Sequence, residues 1–353
     1  MKDNPLISVL CASYNHEKFV GFFIQSLINQ TYSNWELIIV DDCSSDGNVA
    51  EIKKLAQTDS RIHLFEQDFN QGPGAALNRA FSESKGEIIV EIASDDMLEP
   101  EYLQYVVSNF SSKKEIGVIY SSVHIVDENN VKYDEWKIDS SLNRITLLNQ
   151  FFYRFNELLS PGLAVRRKVY ASIIPMDASM IQHQDYQWHI LFLMKNECLI
   201  SSVSYVDYRV LKEERVSLGG NSISRDNRMR LEISKLMDTF LQIKDLDLIK
   251  QITGSELCDK LPAECYEFIW GYSALTCETL EKRQWGYNLI SKVYADEKLR
   301  KILHEKIDYK FSDFLSLAKI NYYHYPTFFE LKKKAVMKRV RKLFKRRDSS
   351  DGK

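Results

Sequence analysis

Three groups of carboxylates in this 353-residue chain are spaced for chemistry. Asp95-Asp96 closes the run Glu87-Ile-Ile-Val-Glu-Ile-Ala-Ser-Asp-Asp, whose β-branched residues spell a short buried strand. Asp41-Asp42 closes a second such run, Trp35-Glu-Leu-Ile-Ile-Val. Asp185 stands far along the chain in Gln182-His-Gln-Asp, just ahead of a helical stretch. Two adjacent carboxylates at the end of a buried strand are costly unless a positive charge meets them. A divalent cation bound to a phosphorylated ligand would meet them. The competing account is solvation plus capping of the next helix, which Pro100 is suited to open. For one isolated pair the competing account is the better one.

The elements that must position these groups change that balance. Residues 6–12 read as a first strand. Ser13-Tyr14-Asn15-His16 then opens a helix over 17–29, with Phe19, Val20, Phe23, Ile24, Leu27 and Ile28 on one face. Strands at 35–40, 62–65, 87–93 and 116–121 alternate with helices after Gly47, over 75–82 and over 101–110. The alternation predicts an α/β fold with a mainly parallel sheet and right-handed crossovers. Ligands in such sheets bind beyond the carboxyl ends of the strands. Both acidic pairs fall at carboxyl ends, and two coincident placements carry more than either alone.

After residue 121 the pattern loosens. A hairpin is expected over 123–136 around Asp127-Glu128-Asn129-Asn130, and a loop over 158–167 containing Pro161-Gly162. A helix follows Asp185, a strand covers 199–210, and 213–228 reads as a polar, mobile loop. Helices then run from 229 to 309. The expected organisation is a catalytic region over 1–215, a helical region over 216–330 and a basic tail over 331–353.

Composition narrows the class. With 44% apolar residues the chain can fill a core. Cys11, Cys43, Cys198, Cys258, Cys265 and Cys277 show no paired metal-type spacing, which fits reduced thiols in a cytosolic protein. The opening residues carry no secretory pattern, and no run approaches the ~18 apolar residues that cross a bilayer. The net charge of −2 hides an asymmetry: Lys332–Arg347 holds ten Lys/Arg and no acid, whereas residues 1–331 carry 36 basic against 47 acidic residues. The acidic body argues against general nucleic-acid binding. In the tail, Val336, Met337, Val340, Leu343 and Phe344 share one side of a helical wheel and the basic residues the other, a pattern suited to an anionic membrane surface.

Taken in order, Ile7-Ser8-Val9 through Ser13-Tyr14-Asn15, Ser26-Leu27-Ile28-Asn29-Gln30-Thr31-Tyr32, Glu36 through Gly47, Asn70-Gln71-Gly72 with Leu77-Asn78-Arg79, Ser94-Asp95-Asp96 and Gln184-Asp185-Tyr186 with Trp188 resemble a family 2 nucleotide-sugar glycosyltransferase over residues 5–215. The resemblance implies a GT-A fold, Rossmann-like, with helices on both sides of the sheet. It implies that Asp42 accepts a hydrogen bond from the donor's base, typically uracil, that Asp95 lies near the ribose, and that Asp96 coordinates Mn²⁺ or Mg²⁺. It sets Ala12, Tyr14, Asn15, Asn70, Gly72, Asn78 and Ser94 along the nucleotide sugar. It makes Asp185 the general base on the acceptor hydroxyl, as in inverting members. The chemistry is coherent: a bound cation stabilises the departing diphosphate, and displacement needs a base on the opposite side of the anomeric carbon. A helix N-terminus stabilises a carboxylate, however, and so weakens it as a base.

The chain departs from the family pattern in places. Ala93 stands where an extra Asp often precedes the pair, Gln184 where Glu commonly precedes the base, and the turn 70–74 lacks an Arg that some members carry. The Gln-x-x-Arg-Trp signature of processive synthases is missing, which favours transfer of one sugar at a time. The implied acceptor is a glycan or a polyprenyl-linked sugar of a bacterial surface polysaccharide such as O-antigen or capsule, and the implied location is the cytoplasm or the inner face of the plasma membrane. A nucleotidyltransferase would show a Gly-rich, basic phosphate loop where this chain has Ser13-Tyr14-Asn15-His16. A catalytically inactive glycan- or membrane-binding module is the other alternative, against which Asp96 and Asp185 argue. Among single residues, Asp46 reads as a helix cap, His183 as a loop histidine, and Arg166, Arg167 and Lys168 as a solvated turn. Tyr208-Arg209 and residues 217–222 resemble the part that closes over the donor.

Overall fold

The computed structural model describes residues 4–210 and 223–320. The basic stretch 332–347 and residues 217–222 lie outside the described residues. The chain divides into two compact units, Met1–Asp308 and Tyr309–Lys353. Of the second, helix Phe311–Ile320 is described.

The first half alternates as its periodicity predicts: β1 (Ile7–Ser13), α1 (Val20–Ile28), β2 (Trp35–Asp41), α2 (Asn48–Ala56), β3 (Ile62–Glu66), α3 (Pro73–Glu83) and β4 (Ile88–Glu91). It continues with β5 (Met97–Leu98), α4 (Tyr102–Ser112), β6 (Ile116–Val126), β7 (Lys132–Trp136), α5 (Arg144–Tyr153), β8 (Leu163–Arg166), α6 (Arg167–Tyr170), α7 (Gln184–Leu193), β9 (Glu197–Arg209) and α8 (Ile223–Asp238). Helices then follow one another to Glu297–Ile307.

All nine strands join one sheet in the order β3-β2-β1-β4-β8-β6-β9-β5, with β7 added to β6. β3, β2, β1 and β4 run parallel. Parallel strands need cover on both faces, which is why β2 is apolar through its centre and buried at every position. On one face, Val9, Leu37 and Val90 pack with Phe23, Ile24 and Leu27 of α1 and Val106 and Phe110 of α4.

Four boundaries differ from the sequence reading. The expected loop at 158–167 contains β8, an antiparallel strand between β4 and β6; three apolar residues before an Arg are too few to show a period. β4 ends at Glu91, because only Ile92 N–H continues the ladder toward Leu10. β6 runs on to Val126 through buried Ser121 and Ser122, polar residues that β9 accommodates by pairing and by the Ser122 hydroxyl on the Ser201 carbonyl (3.2 Å). Residues from Ile223 onward, read as loop, begin α8.

Candidate active site

The loops after β1 and β2 form one wall. Asn15 (φ 55°) and Cys43 (φ 64°) both sit in the left-handed region, where Asn is tolerated and other side chains are strained. The Asn15 side-chain oxygen accepts from Ser45 N–H (2.8 Å), and Ser44 Oγ accepts from Asn15 N–H (2.9 Å). The pair that ends β2 divides. Asp41 turns to its own loop, accepting from Ser44 N–H (2.8 Å), Ser44 Oγ (2.5 Å) and Asn48 Nδ2 (2.8 Å). Asp42 turns the other way and accepts from Gln67 Nε2 (2.7 Å) and the backbone N–H groups of Gln71 (2.7 Å) and Gly72 (2.8 Å). Gly72 has φ 85°, a conformation natural only to glycine. Asp42 and the turn after Asn70 therefore form one unit, with the exposed ring of Tyr14 on the neighbouring β1 loop. Ala12 lies within β1, paired with Val40.

The acidic turn lies beyond β4. Ser94 is fully buried, and its hydroxyl meets His16 Nδ1 at 2.8 Å. His16 Nε2 is 3.7 Å from Asp95. Asp96 is 1% exposed and accepts from the backbone N–H of Arg209 (2.9 Å). The Arg209 side chain donates through Nε to the Asp95 carbonyl (2.8 Å), with its guanidinium over the Phe19 ring. Burial, then the charge of Asp95, pushes the Asp96 carboxyl well above the ordinary range. Side by side, the two form an oxygen-donor set whose charge the protein leaves only partly balanced. Such oxygen donors are of the kind a hard divalent cation takes. A second cluster, Glu99, His124 and Asp207, also gathers metal-type ligands. There the Lys132 ammonium already supplies the positive charge, bonded to Glu99 and 3.0 Å from Asp207.

Asp185 lies in the first turn of α7 and accepts from Tyr186 N–H (2.7 Å). Burial pushes its carboxyl up to about 6, against the pull of the backbone N–H groups and the Ser160 hydroxyl. The backbone N–H groups of the helix N-terminus pull the Asp185 carboxyl down, as the sequence suggested, and desolvation outweighs them. Ser160 Oγ is 3.3 Å from His189 Nε2, whose other ring nitrogen is 3.2 Å from Tyr120 Oη, so a polar chain runs from Asp185 into the core. Burial, then the charges of Asp96, Asp95 and Asp185, pushes the Tyr208 phenol up to about 12. Behind them Glu91 is buried, accepts from Tyr170 Oη (2.8 Å) and is pushed to about 8 by burial, with Asp185 adding to the rise.

Other expectations fall differently. The N-cap of α2 is Gly47, not Asp46, which stands one residue earlier and accepts from the N–H groups of Asn48 and Glu17 (both 3.0 Å). Asn78 uses both ends of its amide on the backbone of Met176 (3.0 and 2.7 Å), and so braces the loop before α7. Asn70 is exposed at the turn. Arg166 and Arg167 do not form a solvated turn: they donate to the carbonyls of Ile116 and Phe110, and of Ser84 and Gly86, while Lys168 alone of the three is exposed. His183 is buried, with Nε2 3.1 Å from the Met229 carbonyl. Sequence reasoning passed over His16, Glu91, Ser160 and Glu232. Of these, only Glu91 carried a signal, a lone acid inside an apolar strand.

The comparisons with known proteins agree with this architecture. Residues 8–173 match the family described as glycosyl transferase family 2. An uncharacterised glycosyltransferase of Methanocaldococcus jannaschii is 27% identical over 232 residues, 65% of this chain and 77% of the relative. The UDP-Glc:alpha-D-GlcNAc-diphosphoundecaprenol beta-1,3-glucosyltransferase WfgD of Escherichia coli is 34% identical over 129 residues, 36% of this chain and 50% of its own length. The crystal structure of S. aureus TarS 1–349 superposes with a TM-score of 0.56 at 18% identity, covering 90% of this chain and 93% of that one. TarS 1–349 is also known in complex with UDP-GlcNAc. The likeness shows the GT-A fold, a curled and mostly parallel sheet followed by helices.

Proposed function

We propose that the protein transfers one sugar from a nucleotide-diphosphate sugar, a UDP-sugar, to a glycan or polyprenyl-linked acceptor with inversion, in the assembly of a surface polysaccharide. The observation that carries this reading is the acidic turn beyond β4, where buried Asp96 accepts from the Arg209 N–H at the end of β9 beside Asp95. The nucleotide end belongs at the Asp42 unit, where Tyr14 offers a ring to the base and Asn15, Asn70 and Gly72 line the approach. Asp95 would face the ribose, with buried Ser94 behind it bonded to His16. Asp96 would hold Mn²⁺ or Mg²⁺, which bound there would neutralise the diphosphate and favour its departure. Asp185 takes the proton of the acceptor hydroxyl as that oxygen attacks the anomeric carbon and the bond to the diphosphate oxygen breaks. The region 1–215 carries this chemistry, and α8 of the region that follows supports it. The UDP-sugar and lipid-linked acceptor are supported by WfgD, whose name states both, and by TarS, solved with UDP-GlcNAc.

The test is hydrolysis or transfer with a panel of UDP-sugars, with and without Mn²⁺, with the anomeric configuration of the product read by NMR. Asp96→Asn is expected to weaken metal-dependent UDP binding and abolish turnover. Asp185→Asn should abolish turnover while UDP binding stays intact. Normal turnover in either variant removes that residue from its role, and a retained anomeric configuration ends the inverting reading.

A further inference from the structure

The backbone that leads into α7 is held from outside the sheet. Glu232, on α8, turns its carboxylate onto three consecutive N–H groups, accepting from Ile181 (3.1 Å), Gln182 (2.8 Å) and His183 (3.0 Å). The first turn of a helix and the residues entering it leave such donors in need of an acceptor. A capping residue next to the helix ordinarily supplies one, but the N-cap of α7, His183, makes no side-chain cap bond. The acceptor arrives instead from a separate helix, and as a full charge, which makes each bond stronger than a neutral one. Lys235, one turn further along α8, donates to Ser179 Oγ (2.6 Å) and pairs with Asp177 in the same loop. A second hold comes from the fully buried Lys282, whose ammonium donates to the Phe151 carbonyl (2.6 Å) at the end of α5 and lies 3.3 Å from Tyr186 Oη, on the residue after Asp185.

We infer that Glu232 is a positioning residue for the reaction. By fixing the three N–H groups just ahead of α7, it sets where the Asp185 carboxylate stands relative to the acidic turn. The helical region is then part of the catalytic apparatus, acting through the backbone rather than by touching substrate. The inference rests on Asp185 being the general base. A base within a hydrogen bond of its proton is sensitive to small displacements, and about 1 Å of error can cost on the order of 100-fold in rate.

The experiment compares full-length wild type, Glu232→Ala and Glu232→Gln in UDP-sugar turnover with Mn²⁺, UDP binding by calorimetry, and amide hydrogen exchange over residues 179–187. Glu232→Ala is expected to lower kcat about 100-fold, with KM for donor and Kd for UDP unchanged and exchange at 181–183 accelerated. Glu232→Gln keeps one acceptor oxygen and should lose less. Unchanged kcat in Glu232→Ala overturns the inference, and so does a loss of UDP binding in step with kcat, which marks general damage. A wild-type enzyme that turns over no UDP-sugar overturns the functional reading first, and this inference with it.

Discussion

On the proposed reading, Asp185 carries the decisive titration. It must be ionised to accept a proton, and its carboxyl sits at about 6 because burial opposes ionisation. Around it, burial takes His189 down to about 3, while Glu91 is pushed to about 8 and Tyr208 to about 12. At saturating Mn²⁺, kcat/KM for donor turnover should therefore rise with pH through about 6 and level above it. The Ser160 hydroxyl favours the charged form, so Ser160→Ala should move the midpoint upward. A midpoint that stays put or falls removes Ser160 from its place beside the base. Adjacent identical residues have unlike fates here. Asp41 and Asp42 differ by one position, and the strand turns alternate side chains to opposite faces, one to its own helix and the other to the turn that glycine closes.

At the scale of elements, β4 is a buried strand that carries an acid. Glu91 accepts from Tyr170 on α6 while its backbone carbonyl accepts from Gly162 (2.8 Å) ahead of β8. Its carboxyl titrates at about 8 in the fold against 4.5 ordinarily. Below pH 4.5 both folded and unfolded chains hold the proton. Between about 4.5 and 8 the unfolded chain releases it and the folded chain does not, so stability falls as pH rises through this window and levels beyond it. Glu91→Gln keeps an acceptor for Tyr170 and cannot ionise. It should raise stability at pH 8 by on the order of 2–4 kcal/mol and leave it nearly unchanged at pH 4. Thermal unfolding of both proteins across that range is the measurement, and parallel curves would show that Glu91 is already ionised in the fold.

At the scale of the molecule, both acidic pairs lie at the ends of β2 and β4, and α8 holds the backbone that leads into α7. No described helix is long and apolar enough to cross a membrane. If the enzyme meets a lipid-linked acceptor, the basic residues Lys332–Arg347 are the part of the chain fitted to bring it there, by attraction to anionic headgroups. Full-length protein should sediment with vesicles containing phosphatidylglycerol and lose this at high salt. Protein ending at residue 330 should stay in the supernatant, and equal sedimentation of the two would exclude the tail from that role.

The sequence by itself determined the α/β alternation, the mainly parallel half of the sheet and the position of both acidic pairs at strand ends. Each of those is a local property, written in periodicity and turn residues over a few positions. It also singled out Asp42, Asp95, Asp96 and Asp185 through their family pattern. Only the tertiary structure decided which way each carboxylate faces, that Asn78, Arg166 and Arg167 bond distant backbone carbonyls, and that β8 enters the sheet antiparallel. It alone brought Glu232 to the N–H groups of residues 181–183 and Ser160 to Asp185. Such contacts join residues about 25–50 positions apart, too distant for any local period to record. The desolvation that outweighs the helix N-terminus at Asp185 likewise depends on everything packed around it, not on its neighbours in sequence.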